Sequence, residues 1–80
     1  MNYNEIYWRC RRGMLELDLF LIPYFESKFA QLNVSLQNSF INLLDLPDPD
    51  LLNLLMNYNK PDEKFESIIH LIREYKLGQI

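Results

Sequence analysis

The chain has 80 residues, a net charge of −3, one cysteine and one histidine. A chain of this size buries only about 60–65% of the surface its unfolded form exposes, so its stability is expected to be modest. With Cys10 alone there is no intramolecular disulfide, and with His70 as the only imidazole a thiol- or histidine-based metal centre and a catalytic triad are both excluded, so no metal site is expected.

Half of the residues are hydrophobic and 14% are aromatic, which suits a folded core rather than a disordered segment. The longest apolar run, Leu19 to Phe25, has seven residues and contains Pro23, whereas a bilayer span needs about 20. No membrane anchor is expected. The opening residues Met1 to Glu5 have neither the apolar core of a secretory signal nor the arginine-rich character of an organellar presequence, so a cytoplasmic chain with an intact start is expected. Residues 1–13 carry Arg9, Arg11 and Arg12 against Glu5 alone, a basic lip of +2 on an acidic body. Three arginines fall short of a nucleic-acid face, which typically neutralises about 6–10 phosphates. The distribution suits docking onto an acidic or phosphate-bearing partner instead.

No stretch alternates apolar and polar residues over a strand length, so helical periodicity dominates. The spacing predicts five helices. The first runs from Asn4, as N-cap, to Arg11, and Gly13 turns the chain after it. The second, Met14 to Leu32, is apolar around most of its circumference, as expected of a central helix covered on several sides. Pro23 removes the amide that would bond the carbonyl of residue 19, and so kinks this helix or breaks it in two, a kink being preferred. Asn33 and Ser35 supply cap chemistry for a third helix, which buries Leu36, Phe40, Leu43 and Leu44 and ends near Leu46. A fourth starts at Asp48-Pro49-Asp50, with Asp48 accepting from free amides, and continues to Tyr58. Asn59 is expected to close it in the left-handed region, and Lys60-Pro61 to prevent its continuation. The fifth begins near Asp62 and carries the stripe Phe65, Ile68, Ile69, Ile72 and Tyr75, with Gly78 ending it before a short free tail. The expected fold is a compact all-α, five-helix domain around a central second helix, one domain over residues 1–80.

The chemistry-bearing residues gather at the corner between the first two helices, in Arg11-Arg12-Gly13-Met14-Leu15-Glu16-Leu17-Asp18 just after Trp8. If Gly13 is the N-cap, Glu16 reaches back to a backbone amide or pairs with Arg12, an interaction worth about 0.5–2 kcal/mol. Alternatively Arg12, Glu16 and Asp18 project as a recognition patch flanked by Trp8 and Arg11, the residue types that dominate interface energetics. The two readings are compatible. Cys10 has neighbouring positive charge that favours a thiolate, but a buried structural cysteine is the simpler account. His70 follows Glu66 by one turn, as an exposed acid–base pair. Asp45, Asp48 and Asp50 lack the glycine and glutamate of a calcium loop and are read as helix caps.

Trp8-Arg9-Cys10-Arg11-Arg12-Gly13-Met14-Leu15-Glu16-Leu17-Asp18 resembles the first block of the SdhE-type FAD assembly factors, with its RGxxE signature at Arg12, Gly13 and Glu16. Pro23-Tyr24-Phe25-Glu26, Phe40-Ile41-Asn42-Leu43-Leu44, Asp48-Pro49-Asp50-Leu51-Leu52-Asn53 and Lys60-Pro61 resemble later blocks in the same order, so the similarity covers roughly residues 4–75. Leu54 stands where that family usually has tryptophan, and Asn59 where it commonly has glycine. The resemblance implies a five-helix fold and a non-catalytic, monomeric factor that holds no cofactor stably. Such a factor binds the flavoprotein subunit of succinate dehydrogenase or fumarate reductase and promotes attachment of FAD to a histidine of that subunit. By the same similarity Arg12, Gly13 and Glu16 form the core of the client surface, with Trp8, Arg11 and Asp18 around it. Within that set, Arg12 suits an acidic or phosphate group, Glu16 a donor near the flavin, and Gly13 close approach. Two other classes remain open: an interaction module unrelated to flavin, such as an antitoxin-like or cytoskeletal inhibitor, and a small thiol enzyme based on Cys10.

Overall fold

The computed structural model describes residues 2–78 and places five α-helices along them: α1 (Tyr3–Cys10), α2 (Leu15–Lys28), α3 (Val34–Leu43), α4 (Asp48–Leu55) and α5 (Glu66–Leu77). Short 3₁₀ turns, Phe29–Gln31 and Glu63–Phe65, follow α2 and precede α5. Among the described residues there is no strand, as the periodicity predicts. The radius of gyration is 11.4 Å, close to the value of about 11.6 Å expected for a compact domain of this length.

α2 is the hub, packing against α1, α4 and α5. Its buried side chains Leu17, Leu21, Tyr24 and Phe25 meet Ile6 and Cys10 from α1, Phe40 and Leu43 from α3, Leu51 and Leu55 from α4, and Ile68, Ile69 and Ile72 from α5 in one core cluster. Phe25, Phe29 and Phe40 pack ring on ring, with centroids 4.9 Å, 5.4 Å and 6.0 Å apart. These pairs add specific geometry to the burial of large apolar surface.

The helix ends depart from expectation in ways local chemistry explains. Asn2, not Asn4, caps α1: its side chain accepts from the Glu5 amide at 2.9 Å, so the helix begins at Tyr3. α2 starts after Met14, which has extended backbone and no side-chain cap. It runs unbroken through Pro23 and gives way to the 3₁₀ turn at Phe29 rather than continuing to Leu32. Pro23 costs α2 the bond to the Leu19 carbonyl, and Leu19 lies on an exposed side of the helix where water can take that acceptor. Asn33 caps α3 as expected, accepting from the Leu36 amide at 2.9 Å. Pro47 rather than Asp48 holds the cap position of α4, which ends at Leu55 instead of reaching Tyr58. The left-handed residue behind it is Asn57, with φ of 64°, and not Asn59. Asparagine tolerates this region better than most residues, and the left-handed turn falls two residues earlier because α4 already ends at Leu55. Gly78 ends α5 in ordinary right-handed geometry, with φ of −70°. The short tail expected beyond Gly78 lies outside the described residues.

The apolar girdle of α2 is also not covered on every side. Leu15 and Leu19, one turn apart, are 69% and 46% exposed. A helix hydrophobic around most of its circumference gives little direction to its buried face, and the packing of α1, α4 and α5 leaves this flank open.

Candidate functional site

The corner between α1 and α2 is built by two backbone choices. Arg11 leaves the helix in extended conformation while its amide still donates to the Trp8 carbonyl at 3.2 Å. Gly13 then adopts φ of +78°, the left-handed region that a side chain disfavours. A Cβ built on Gly13 would meet nothing within 4 Å, so glycine is required by the turn itself and leaves open space above it.

Arg12 points inward. Its Nε donates to Asp48 Oδ1 at 2.8 Å, one Nη donates to the carbonyls of Leu44 at 2.8 Å and Arg9 at 3.2 Å, and the other donates to the Leu46 carbonyl at 2.7 Å. Its side chain is only 15% exposed. The planar guanidinium thus closes carbonyls left unpaired where α3 ends, a site whose partial negative charge favours a cation. Arg9 forms a second ion pair beside it, with Asp45. Asp45 and Asp48, read from sequence as helix caps, are therefore arginine partners that tie the corner to the loop between α3 and α4.

The carboxylate that reaches back across the turn belongs to Asp18, whose Oδ1 accepts from the Arg12 amide at 2.8 Å. Glu16 does neither of the things its spacing suggests. It sits in the first turn of α2, is exposed, and has no hydrogen bond or ion pair among the described residues. Its charge is favoured there only by the exposed amides of the helix start.

On the α1 side Trp8 is 64% exposed, the Arg11 guanidinium lies 5.3 Å from its ring centroid, and Tyr7 meets the ring edge-on at 6.1 Å. The structure therefore divides the six sequence-predicted residues. Trp8, Arg11, Gly13 and Glu16 face outward, while Arg12 and Asp18 are engaged within the corner. It also adds Leu15 and Leu19, which sequence reasoning assigned to the core. Their i, i+4 spacing beside Glu16 marks a common face, but nothing local says whether that face is buried.

Burial decides the cysteine question. Cys10 has no exposed surface and its thiol is pushed up to about 12 by desolvation, which outweighs the lowering effect of Arg12 and Arg9. The thiol stays protonated at neutral pH and inaccessible, which removes the nucleophile reading. His70 pairs loosely with Glu74 at 3.9 Å on the exposed face of α5, rather than with Glu66. Among the described residues no group of three or more histidine, cysteine, aspartate or glutamate side chains is placed to hold a metal ion. None of the helices described is long and apolar enough to cross a membrane.

Residues 4–76 match the family model described as "Flavinator of succinate dehydrogenase". Among curated proteins, the chain is 45% identical over 73 residues to the FAD assembly factor SdhE of Pectobacterium atrosepticum, covering 90% of this chain and 83% of that protein. It is 44% identical to the SdhE of Photorhabdus laumondii and 42% identical to that of Yersinia pestis, with the same coverage. A match across nearly the whole chain, spanning all five helices and the corner, places this protein in the family of flavinators of succinate dehydrogenase.

Proposed function

We propose that the chain is a non-catalytic assembly factor that binds the flavoprotein subunit of succinate dehydrogenase and promotes covalent attachment of FAD to it. The observation that carries this reading is the family match over residues 4–76, and it favours a flavin client over an antitoxin-like or cytoskeletal inhibitor. FAD is then the client's substrate, with no cofactor resident in this chain. The flavoprotein of fumarate reductase is a second client of the same chemistry, and the working form is a cytoplasmic monomer.

The corner supports the choice of surface. Trp8, Arg11, Gly13 and Glu16, extended by Leu15 and Leu19, combine an aromatic anchor, a cation, open space over a glycine, an unpaired carboxylate and apolar area. This is the composition of an interface centre. Arg12 and Asp18 act from behind it: the guanidinium and the carboxylate fix the turn so that Glu16 is presented in one geometry. Arg12 therefore contributes by positioning rather than as the free fork that its sequence context suggests.

A factor without chemistry of its own accelerates a reaction only by binding one client conformation better than others. The conformation it favours here holds the flavin and the receiving histidine in reacting geometry, where proximity lowers the barrier. Rigidity of the corner matters for that selection, because a deformable surface would bind several client conformations alike.

The test is covalent flavin fluorescence on the denatured flavoprotein subunit from a host lacking this gene, complemented with the native chain or with Glu16→Ala. Loss of fluorescence restored by the native chain and not by Glu16→Ala is expected. Undiminished flavinylation in the deletion host would refute the proposal.

A further inference from the structure

A second surface adjoins the corner, where α2, α4 and α5 meet. Phe20, Leu55, Met56 and Leu77 form the apolar wall of a notch of about 200 Å³, and Arg73 and Lys76 stand on its rim. Met56 is 40% and Leu77 61% exposed, and the Lys76 ammonium lies 6.0 Å from the centroid of the Phe20 ring. Among the described residues no acidic side chain lines the notch, although the chain carries 11 acids against 8 bases.

Arg73 is distinctive among the arginines. Arg9 pairs with Asp45, Arg12 with Asp48, and Arg11 lies over Trp8, whereas Arg73 has no hydrogen bond, ion pair or ring partner among the described residues. It stands three residues from Lys76, so both cations share one helical face. At about 200 Å³ the notch is smaller than the cavities of about 300–1,000 Å³ that hold drug-sized ligands. It is a size for one apolar side chain. A larger groove of about 420 Å³ near Tyr24 and Tyr75 has both Lys28 and Glu74 on its rim, and so has no preference for either sign of charge.

We propose that this notch receives an acidic segment with an apolar anchor residue, supplied by the flavoprotein client, as a second contact distinct from the corner. Charge complementarity selects the segment: two cations that no acid among the described residues lining the notch faces, around an apolar floor on an otherwise acidic protein, suit carboxylates flanking a buried side chain. Phe20 lies one turn beyond Glu16 on α2, about 6 Å along the axis, so a client reaching Glu16 can also reach the notch. This inference rests on the proposed function.

The experiment is binding of the full chain to purified succinate dehydrogenase flavoprotein subunit by calorimetry at two salt concentrations. The double variant Arg73→Glu/Lys76→Glu is compared with Lys28→Glu/Lys60→Glu, which changes the net charge equally elsewhere. Both are first checked for native helicity, and each is run through size exclusion across concentrations. The notch variant is expected to bind roughly tenfold more weakly and with a smaller salt dependence, while the control stays within about twofold of the native chain. A native chain that binds the subunit and a notch variant that binds equally well would overturn the notch alone. Equal weakening in both variants, or loss of a self-associated form without loss of client affinity, would overturn it as well. A native chain that does not bind the subunit at all would refute the proposed function and the notch with it.

Discussion

Replacing Arg12 with alanine should destabilise this protein before it weakens any partner contact. The side chain is largely buried and donates four hydrogen bonds, to Asp48 and to the carbonyls of Arg9, Leu44 and Leu46. Truncation strands those acceptors and removes the partner of a half-buried carboxylate. Hydrogen bonds involving a charged group contribute about 1.5–3 kcal/mol each, but they are not additive here because one guanidinium serves them all. Water can also replace part of the loss at the surface. A net cost of about 2–4 kcal/mol follows. Domains of this size have roughly 4–12 kcal/mol in total, and each kcal/mol moves Tm by about 4–8 °C, so a fall of about 8–32 °C is expected. Thermal and urea unfolding followed by circular dichroism measure it directly. Arg12→Lys should recover only part of the loss, since an ammonium cannot span an aspartate and three carbonyls in one plane. Asp48→Asn alone should cost less, and combining it with Arg12→Ala should be clearly less than additive, because both changes remove the same bond. An Arg12→Ala chain within about 0.5 kcal/mol of native would refute the assignment of Arg12 as the strut of the corner.

Gly13→Ala should cost about 1–2 kcal/mol through the left-handed turn alone, as the added methyl meets no other atom. Gly13→Asn should cost less, since asparagine tolerates that region; if client binding still falls in a stable Gly13→Asn chain, the open space above residue 13 is itself part of the interface. The Cys10 thiol should resist iodoacetamide in the native chain at neutral pH and react once urea unfolds it; labelling of the folded protein at the unfolded rate would contradict its burial. Stability should also fall in alkali. The folded thiol titrates near 12 and the unfolded one near 9.0, so its contribution is complete below pH 9 and is lost between 9 and 12 as the unfolded chain gives up its proton. The slope is about 1.4 kcal/mol per pH unit in that window. Tyr24, whose pKa is also raised by burial, adds a loss of the same sign. Urea midpoints that stay constant up to about pH 11 would contradict this.

The sequence by itself determined that the chain is helical, where most helices lie and which face of α5 is buried, because each of these depends on residues within a turn or two of one another. The stripe Phe65, Ile68, Ile69 and Ile72 is buried as its spacing predicts, Asn33 caps α3, and Gly13 takes the positive φ its position suggests. Family-resembling residues at the corner were legible for the same reason, being contiguous. Tertiary structure decided what those residues do. Arg12 and Asp48 are 36 positions apart, and no local pattern distinguishes a guanidinium that closes the end of α3 from one that awaits a partner. Asp48 therefore looked like a cap and Glu16 like a capping residue, whereas the fold gives the first to Arg12 and leaves the second unpaired. Leu15 and Leu19 show the same limit from the apolar side. On a helix hydrophobic around most of its circumference the period points nowhere, and only the placement of α1, α4 and α5 settles which leucines water can reach.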